Sequence, residues 1–239
     1  MNKITDTYAE AMDFWNKAFT LSEEDKEKHG KNINAQSDLA DLAISKKLAN
    51  FVRDTLKGKN KVLDYGCGEG WAGMSIYKQG CRDVTCVDVA QGAVETVKYI
   101  ASLADIGDGF CAHSINADWL ETVADNTYDG IVCTNVIDVV PSEISTYIAK
   151  HLGRILIPDG TAVIGMNYYK DLSADPGANV EIKNGNEVYM DGILRMVSRT
   201  DSEWRTIFEQ YFKVEQLEYY AWNSETVERR RIFVLKKKI

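Results

Sequence analysis

The sequence predicts a doubly wound α/β fold, in which a mostly parallel, seven-stranded sheet carries helices on both faces. Short β-branched runs alternate with helical stretches from Lys61 onward, and this alternation is typical of a parallel sheet. The first of these runs ends in a glycine-rich turn that opens a helix, with glycine at positions 66, 68 and 70. A strand, a glycine turn and a helix in succession are typical of nucleotide-binding α/β folds.

The N-terminal part of the chain is helical in pattern. Apolar residues recur at three- and four-residue steps over residues 8–19 and again over 38–56, as on one face of a helix. The charged stretch 22–31 between them predicts a loop or a solvated helix. We therefore expect a helical cap or lid over residues 1–56 and a ligand-binding domain over 57–239.

The remainder of the chain divides into alternating elements. The predicted strands are residues 62–65, 84–87, 110–115, 128–134 and 161–166. The predicted helices between them are residues 71–78, 90–104 and 143–154. A polar segment at about 167–200 carries the turn signals Asp175-Pro176-Gly177 and Asn184-Gly185-Asn186, which predict an insertion of loops and short strands. A helix over 202–212 and two strands, over 214–220 and 231–235, complete the sheet.

The composition restricts the partners and the compartment. A net charge of −8 argues against a nucleic-acid backbone as partner, because phosphates favour positive surface. The five cysteines form no CxxC pair, so the sequence predicts neither a disulfide framework nor a metal site. Neither an apolar signal core nor a run of membrane-spanning length is present, so we expect a cytoplasmic protein without a membrane partner. The pattern does not predict an oligomeric state.

The glycine-rich turn gives the strongest functional signal. Residues 62–70 read Val-Leu-Asp-Tyr-Gly-Cys-Gly-Glu-Gly, and such glycines let the backbone turn sharply and let a ligand approach. A dinucleotide fingerprint has the spacing G-x-G-x-x-G/A, whereas here the third glycine comes one residue early and Trp71 takes the sixth position. This spacing disfavours NAD. The carboxylate of Asp64 would repel a pyrophosphate but attract an ammonium group.

Three further polar residues follow predicted strands, where ligands bind in doubly wound sheets. Asp88 ends the second strand, and an acid there can accept hydrogen bonds from both ribose hydroxyls. We expect Asp88→Ala to leave the fold intact, because we expect no buried group to depend on this carboxylate. Asp118 follows the third strand and can accept from an adenine amine; alternatively, it caps the next helix. Asn135 follows the fourth strand.

Taken together, these segments resemble the class I S-adenosylmethionine-dependent methyltransferases, in particular the broad small-molecule-type group. The resemblance rests on residues 62–70, Asp88, Asp118, 128–141 and 156–165. It implies a Rossmann-like methyltransferase fold, S-adenosyl-L-methionine as cofactor and an S-adenosylmethionine-dependent methyltransferase activity. It leaves the methyl acceptor open.

The resemblance also implies roles for single residues. Gly66 and Gly68 would contact the methionine part, and Asp64 would hold its ammonium directly or through water. The other implied contacts are Asp88 with the ribose, Val89 and Trp119 with the adenine ring, Asp118 with the adenine amine, and Asn135 with the region of the sulfonium and the acceptor.

The sequence identifies no catalytic base. Many relatives carry a histidine where this chain has Asp138, so the catalytic candidates are Asp138, Asn135 and Tyr168. Tyr168 and Tyr169, together with the methionine and aromatic residues of Tyr189–Met196, are candidates to line the acceptor pocket. Tyr8 and Trp15 are candidates for an aromatic lid over the cofactor.

We expect the acceptor to be a small molecule, because the chain is acidic and has no nucleic-acid module. The alternatives are an RNA or protein methyltransferase and a non-catalytic S-adenosylmethionine-binding or regulatory protein. An NAD-dependent oxidoreductase is a further alternative, which the glycine spacing and Asp64 disfavour.

Overall fold

The structure is a computed structural model that describes residues 6–173 and 179–238. The predicted turn Asp175-Pro176-Gly177 lies outside the described residues. No helix in the described part of the chain is long and apolar enough to cross a membrane.

The N-terminal part forms three α-helices and one short 3-10 helix. They are α1 (Asp6–Phe19), α2 (Glu23–Asn32), the 3-10 helix Leu39–Leu42 and α3 (Lys46–Thr55). The charged stretch is thus a solvated helix, because Ser22 and Asp25 form a capping box at the start of α2 and none of its residues is buried. The helix predicted over 38–56 is divided, because the Ser45 side chain caps a new helix by accepting a hydrogen bond from the Leu48 N–H at 3.2 Å.

The central part alternates between strands and helices as predicted. Its strands are β1 (Lys61–Tyr65), β2 (Asp83–Asp88), β3 (Phe110–Ser114), β4 (Tyr128–Thr134) and β5 (Leu156–Met166). Its helices are α4 (Trp71–Lys78), α5 (Gln91–Leu103), α6 (Trp119–Thr122) and α7 (Ser142–Ile155). The five strands pair in parallel.

The predicted insertion forms a separate three-stranded antiparallel sheet. Its strands are β6 (Val180–Lys183), β7 (Glu187–Met190) and β8 (Ile193–Val197). The predicted turn at Asn184-Gly185 is confirmed: both residues have positive φ and join β6 to β7. Strand β8 packs against α1, so the insertion lies beside the N-terminal helix.

The last elements are α8 (Asp201–Phe208), β9 (Phe212–Tyr220) and β10 (Arg230–Lys237). They complete a seven-stranded sheet of order β3-β2-β1-β4-β5-β10-β9, in which β10 is antiparallel to both neighbours. The doubly wound fold predicted from the sequence is confirmed. The strand order reverses between β1 and β4, and ligands bind beside this switch point in such sheets.

Both faces of the sheet are buried, because alternate residues of a strand pack into apolar clusters on opposite faces. Neighbouring residues of a strand point to opposite faces, and Val62 and Leu63 accordingly belong to different apolar clusters. Leu63 packs on the side that holds α7 and α8, and Val62 packs on the side that holds α3, α4 and α5. The site is therefore carried by a strand that is fixed from both sides.

Candidate functional site

A cavity of about 410 Å³ lies at the switch point. The loop after β1, the ends of β2 and β4, and helix α1 all contribute to its wall. Of the residues selected from the sequence, those that line the cavity are Tyr8, Trp15, Gly66, Gly68, Asp88, Val89 and Asn135. Asp64, Asp118, Trp119, Asp138, Tyr168 and Tyr169 do not line it.

The glycine loop takes a backbone conformation that side chains disfavour. Gly66 and Gly68 have φ values of +70° and +51°, and a Cβ at Gly66 would lie 2.2 Å from Val136 Cγ2. The N–H groups of Gly66 and Cys67 donate to the Val87 carbonyl at 2.8 and 3.0 Å. The loop is thereby held against the end of β2 and presents bare backbone to the cavity.

Asp88 lines the cavity and also holds the loops around it. Its Oδ2 accepts a hydrogen bond from the Gly68 N–H at 3.0 Å, and its Oδ1 accepts from the Ala90 N–H at 2.9 Å. Burial raises the pKa of this carboxyl above its ordinary value, against the lowering effect of these N–H donors. The expectation that no buried group depends on Asp88 is therefore wrong, because two backbone donors would lose their partner.

Asp64 lies behind the glycine loop. Its Oδ2 accepts a hydrogen bond from the Gly73 N–H at 2.8 Å, so it satisfies a free donor in the first turn of α4. Burial raises the pKa of this carboxyl to about 7. Asp64 thus caps the backbone of α4 and does not line the cavity.

Asn135 directly follows β4 and lines the cavity with a polar side chain. It has a φ of +54°, and its N–H donates to the Gly165 carbonyl at 2.8 Å. Its side-chain Oδ1 is buried and meets no hydrogen-bond partner among the described residues. A buried oxygen without a donor is costly, so this position favours a ligand that brings an N–H or O–H group.

Asp138 holds the insertion and is fully buried away from the cavity. Its Oδ2 accepts from the Asn167 N–H at 2.7 Å, and its carbonyl accepts from the Val197 N–H at 2.7 Å. Burial raises the pKa of its carboxyl above the ordinary value. Asp138 does not line the cavity, and its role as a base in contact with an acceptor stays a prediction.

Tyr168 and Tyr169 also lie outside the cavity. They line a separate, shallow depression of about 260 Å³, where the Arg229 guanidinium lies 3.6 Å from the centre of the Tyr168 ring. Asn167, the first residue after β5, lines the cavity, whereas Tyr168 and Tyr169 do not. The catalytic role of Tyr168 and the pocket-lining role of the pair stay predictions.

The segment after β3 contributes an apolar contact. Ile115 lines the cavity, whereas Asp118 is exposed and Trp119 is half-buried against the core. The Asp118 side chain makes no capping hydrogen bond to α6. The adenine contacts of these two residues stay predictions.

Helix α1 covers the cavity with four side chains: Tyr8, Met12, Trp15 and Phe19. Two bonds tie it to α5, since the Gly92 N–H donates to Asn16 Oδ1 and the Thr96 hydroxyl donates to the Phe19 carbonyl, both at 2.9 Å. Burial and the Asp88 charge raise the pKa of Tyr8 to about 12. Arg195 of β8 also lines the cavity and lies 4.1 Å from the Phe14 ring centre.

Sequence reasoning missed the contribution of two distant segments. Ile44, before α3, and Trp222, in the loop between β9 and β10, both line the cavity, as does Asn167. Pattern analysis had no basis for selecting them, because they follow no periodicity and lie far apart in the chain. An isolated tryptophan in a polar loop, as in Ala-Trp-Asn-Ser-Glu at 221–225, is the one signal that the sequence offers.

Comparisons with known proteins agree with this geometry. Residues 35–211 match a family model described as a methyltransferase domain. Over 150 residues, the chain is 24% identical to a ubiquinone biosynthesis O-methyltransferase of Neisseria meningitidis serogroup C (strain 053442); this match covers 63% of the chain. It covers 58% of that relative, so the chain spans little more than half of the relative's length.

Solved structures share the fold. A 1,6-didemethyltoxoflavin-N1-methyltransferase of Burkholderia thailandensis, solved with 1,6-didemethyltoxoflavin and S-adenosylhomocysteine, has a TM-score of 0.72 at 13% identity. That alignment covers 100% of this chain and 92% of the other. The PH0226 protein of Pyrococcus horikoshii OT3 has a TM-score of 0.64 at 18% identity, with coverage of 87% and 94%. At such identities the likeness shows the fold alone.

Proposed function

The chain belongs to the methyltransferase domain family, and on that premise we propose that it methylates a small-molecule acceptor. S-adenosyl-L-methionine is its cofactor, in keeping with the family and the fold. One observation supports the proposal most strongly: the bare glycine loop and the Asp88 carboxylate line the same cavity.

The residues at this edge of the sheet fit the cofactor. A Cβ at Gly66 would clash with Val136 and move the loop, so the glycine keeps space for the methionine part. We propose that the Asp88 carboxylate accepts ribose hydroxyls while it holds the Gly68 N–H. Val89 and Ile115, which line the same cavity, would pack on the adenine ring.

The predicted contacts of Asp64, Asp118 and Trp119 are revised in this proposal. Asp64 would act through α4, because its carboxylate is engaged by Gly73 and buried behind the loop. Asp118 and Trp119 would meet the adenine edge only after a movement of the segment before α6. Asn135 keeps its predicted place near the reacting atoms, because its unpartnered oxygen lies at the end of β4.

The chain would accelerate the reaction chiefly by holding the acceptor and the cofactor close together in the right orientation. S-adenosyl-L-methionine supplies a methyl group that is already activated by a sulfonium. An enzyme can therefore contribute mainly proximity and orientation, and Asn135 and Asn167 are suited to orient a polar acceptor group. A cavity of about 410 Å³ with α1 across it favours a small acceptor over a folded RNA or protein.

We further propose that the lid is helix α1 rather than the whole of residues 1–56. Four α1 side chains line the cavity, whereas α3 packs on the sheet through Leu48 and Val52. The family match begins at residue 35, which leaves α1 and α2 outside it.

Binding and transfer assays test the proposal directly. Calorimetry with S-adenosylhomocysteine and NADH should detect binding of the first alone. Labelled S-adenosylmethionine, incubated with fractions of a small-molecule extract, should then transfer its label to a dialysable product. Binding of S-adenosylhomocysteine without transfer to any small-molecule, RNA or protein fraction would instead favour a non-catalytic binding protein.

A further inference from the structure

The loop between β9 and β10, residues 221–229, places an aromatic wall in the cavity. Trp222 lines the cavity together with Ile44, Asn135 and Asn167. None of these side chains belongs to the glycine loop or to β2, where we propose that the cofactor binds. This part of the wall is therefore available to the acceptor, and the inference that follows rests on the proposed function.

The ion pair between Arg230 and Glu225 packs against one face of the Trp222 indole. The Arg230 guanidinium lies 3.4 Å from the centre of the indole ring and donates two hydrogen bonds of 2.7 Å to the Glu225 carboxylate. The same carboxylate accepts a hydrogen bond from the backbone N–H of Trp222 at 3.0 Å. Arg230 also donates to the Asn167 side-chain oxygen. The indole is thus held on one face, and its position is coupled to Asn167.

A second set of bonds joins the loop to the segment before α3. The Asn223 N–H donates to the Ile44 carbonyl at 2.8 Å, and the Asn223 Oδ1 accepts from the Lys46 N–H at 3.1 Å. These bonds bring Ile44 and Trp222 into one continuous apolar wall. The wall is preorganised, so an acceptor would pay little entropy to order it.

The described residues that line this end of the cavity are uncharged. Thr134, Asn135, Asn167, Ile44 and Trp222 are uncharged, and Glu225 neutralises the nearby Arg230. A charged acceptor would lose its hydration here without gaining a counter-ion.

Arg195 is the one cation among the described lining residues. It is held over the rings of Phe14 and Trp15 on the α1 side. An anionic acceptor that reached Arg195 would therefore be an alternative to an uncharged one, and the experiment below distinguishes the two.

We propose that Trp222 is a specificity-determining residue for a flat, uncharged aromatic or heteroaromatic acceptor. The acceptor ring stacks on the indole, its O–H or N–H group donates to the Asn135 side-chain oxygen, and an oxygen or unprotonated ring nitrogen accepts from the Asn167 amide. Glu225 and Arg230 are positioning residues, which act by holding the indole. Stacking of two aromatic rings changes a dissociation constant by about 2- to 10-fold beyond the effect of buried area.

Three matched probes test this proposal on the full chain saturated with S-adenosylhomocysteine. 2-Naphthol is flat and neutral, decahydro-2-naphthol keeps the hydroxyl but loses the flat rings, and 2-naphthoate adds a charge. Calorimetry should show that 2-naphthol binds at least about fivefold more tightly than either analogue. Trp222→Leu should abolish that preference and Trp222→Phe should retain part of it, while the affinity for S-adenosylhomocysteine stays unchanged.

Tyr219→Leu provides the matched control. Tyr219 is an exposed aromatic residue of β9 that lines the separate shallow depression, so its loss should keep the wild-type preference. Equal binding of the two naphthols, failure of all three probes to bind, or tighter binding of 2-naphthoate would overturn the inference while S-adenosylhomocysteine still bound. Failure of the wild-type chain to bind S-adenosylhomocysteine would instead overturn the proposed function itself.

Discussion

At the scale of single residues, Asp64 and Asp88 show that a sequence motif locates an acidic residue without predicting its hydrogen-bond partners. The motif located both acids at the ends of strands, and both pKa values are raised by burial. Asp88 borders the cavity, whereas Asp64 points towards α4, on the side of β1 where Val62 also packs. Strand periodicity predicts the face of a side chain, but it does not predict which backbone donor the carboxylate will meet.

We predict that Asp88→Ala weakens both ligand binding and the fold. Loss of a hydrogen bond to a charged group costs about 1.5–3 kcal/mol, which corresponds to roughly a 10- to 100-fold loss of affinity for S-adenosylhomocysteine. The Gly68 and Ala90 N–H groups would also lose their acceptor, so the melting temperature should fall by several degrees. Calorimetry and thermal unfolding measure the two effects.

Asp88→Asn is the matched variant, because its amide oxygen still accepts one N–H. It should lose less stability and less affinity than the alanine variant. Wild-type affinity and an unchanged melting temperature in Asp88→Ala would show that neither loop depends on this carboxylate.

We predict that Asp64 makes the ligand-free protein less stable as the pH rises through 7. Its pKa in the folded chain is about 7, against about 3.9 in an unfolded chain. The folded state therefore favours the protonated carboxyl, and the stability associated with that proton is lost as it leaves. Asp64→Asn should gain melting temperature relative to the wild type between pH 5.5 and pH 8; parallel curves for the two proteins would contradict this.

At the scale of elements, the sequence predicted the regular parts and missed the contacts between them. The parallel strands, the glycine turn and the insertion follow from local patterns, and each is present. That Asp138 serves the insertion, and that Trp222 reaches the cavity, depends on contacts between segments far apart in the chain. No local periodicity encodes such contacts, so the sequence alone did not locate them.

We predict that α1 and β8 become more protected from hydrogen exchange when S-adenosylhomocysteine binds. Both elements line the cavity, and they touch each other through Arg195 and the rings of Phe14 and Trp15. A bound ligand should lower the rate at which these elements open. Helix α2, which has no buried residue, is the internal control and should exchange at its ligand-free rate. Unchanged hydrogen exchange in both α1 and β8 would contradict the proposal that these two elements cover the bound ligand.

At the scale of the whole molecule, the fold and the cofactor site are arranged around one switch point. The strand order reverses between β1 and β4, and the cavity lies at the carboxyl ends of these strands. The fold determines where a ligand binds, but it does not determine the acceptor. The part of the cavity that we propose for the acceptor is lined by Asn135, Asn167, Ile44 and Trp222 of the loop between β9 and β10, which are attached to the common sheet.

We predict that S-adenosylhomocysteine stabilises the whole chain and that NADH does not. A ligand at 100 times its dissociation constant stabilises the folded state by about 2.7 kcal/mol. For a chain of 239 residues, each kcal/mol raises the melting temperature by about 2–4 °C, so a shift of roughly 5–10 °C is expected. The glycine spacing departs from the dinucleotide fingerprint, so NADH should shift the melting temperature by less than about 1 °C. Asp88→Ala should reduce the shift at the same S-adenosylhomocysteine concentration, whereas Trp222→Leu should retain it, because Trp222 lies outside the proposed cofactor contacts. A larger shift with NADH than with S-adenosylhomocysteine would show that the cavity at the switch point serves a different cofactor.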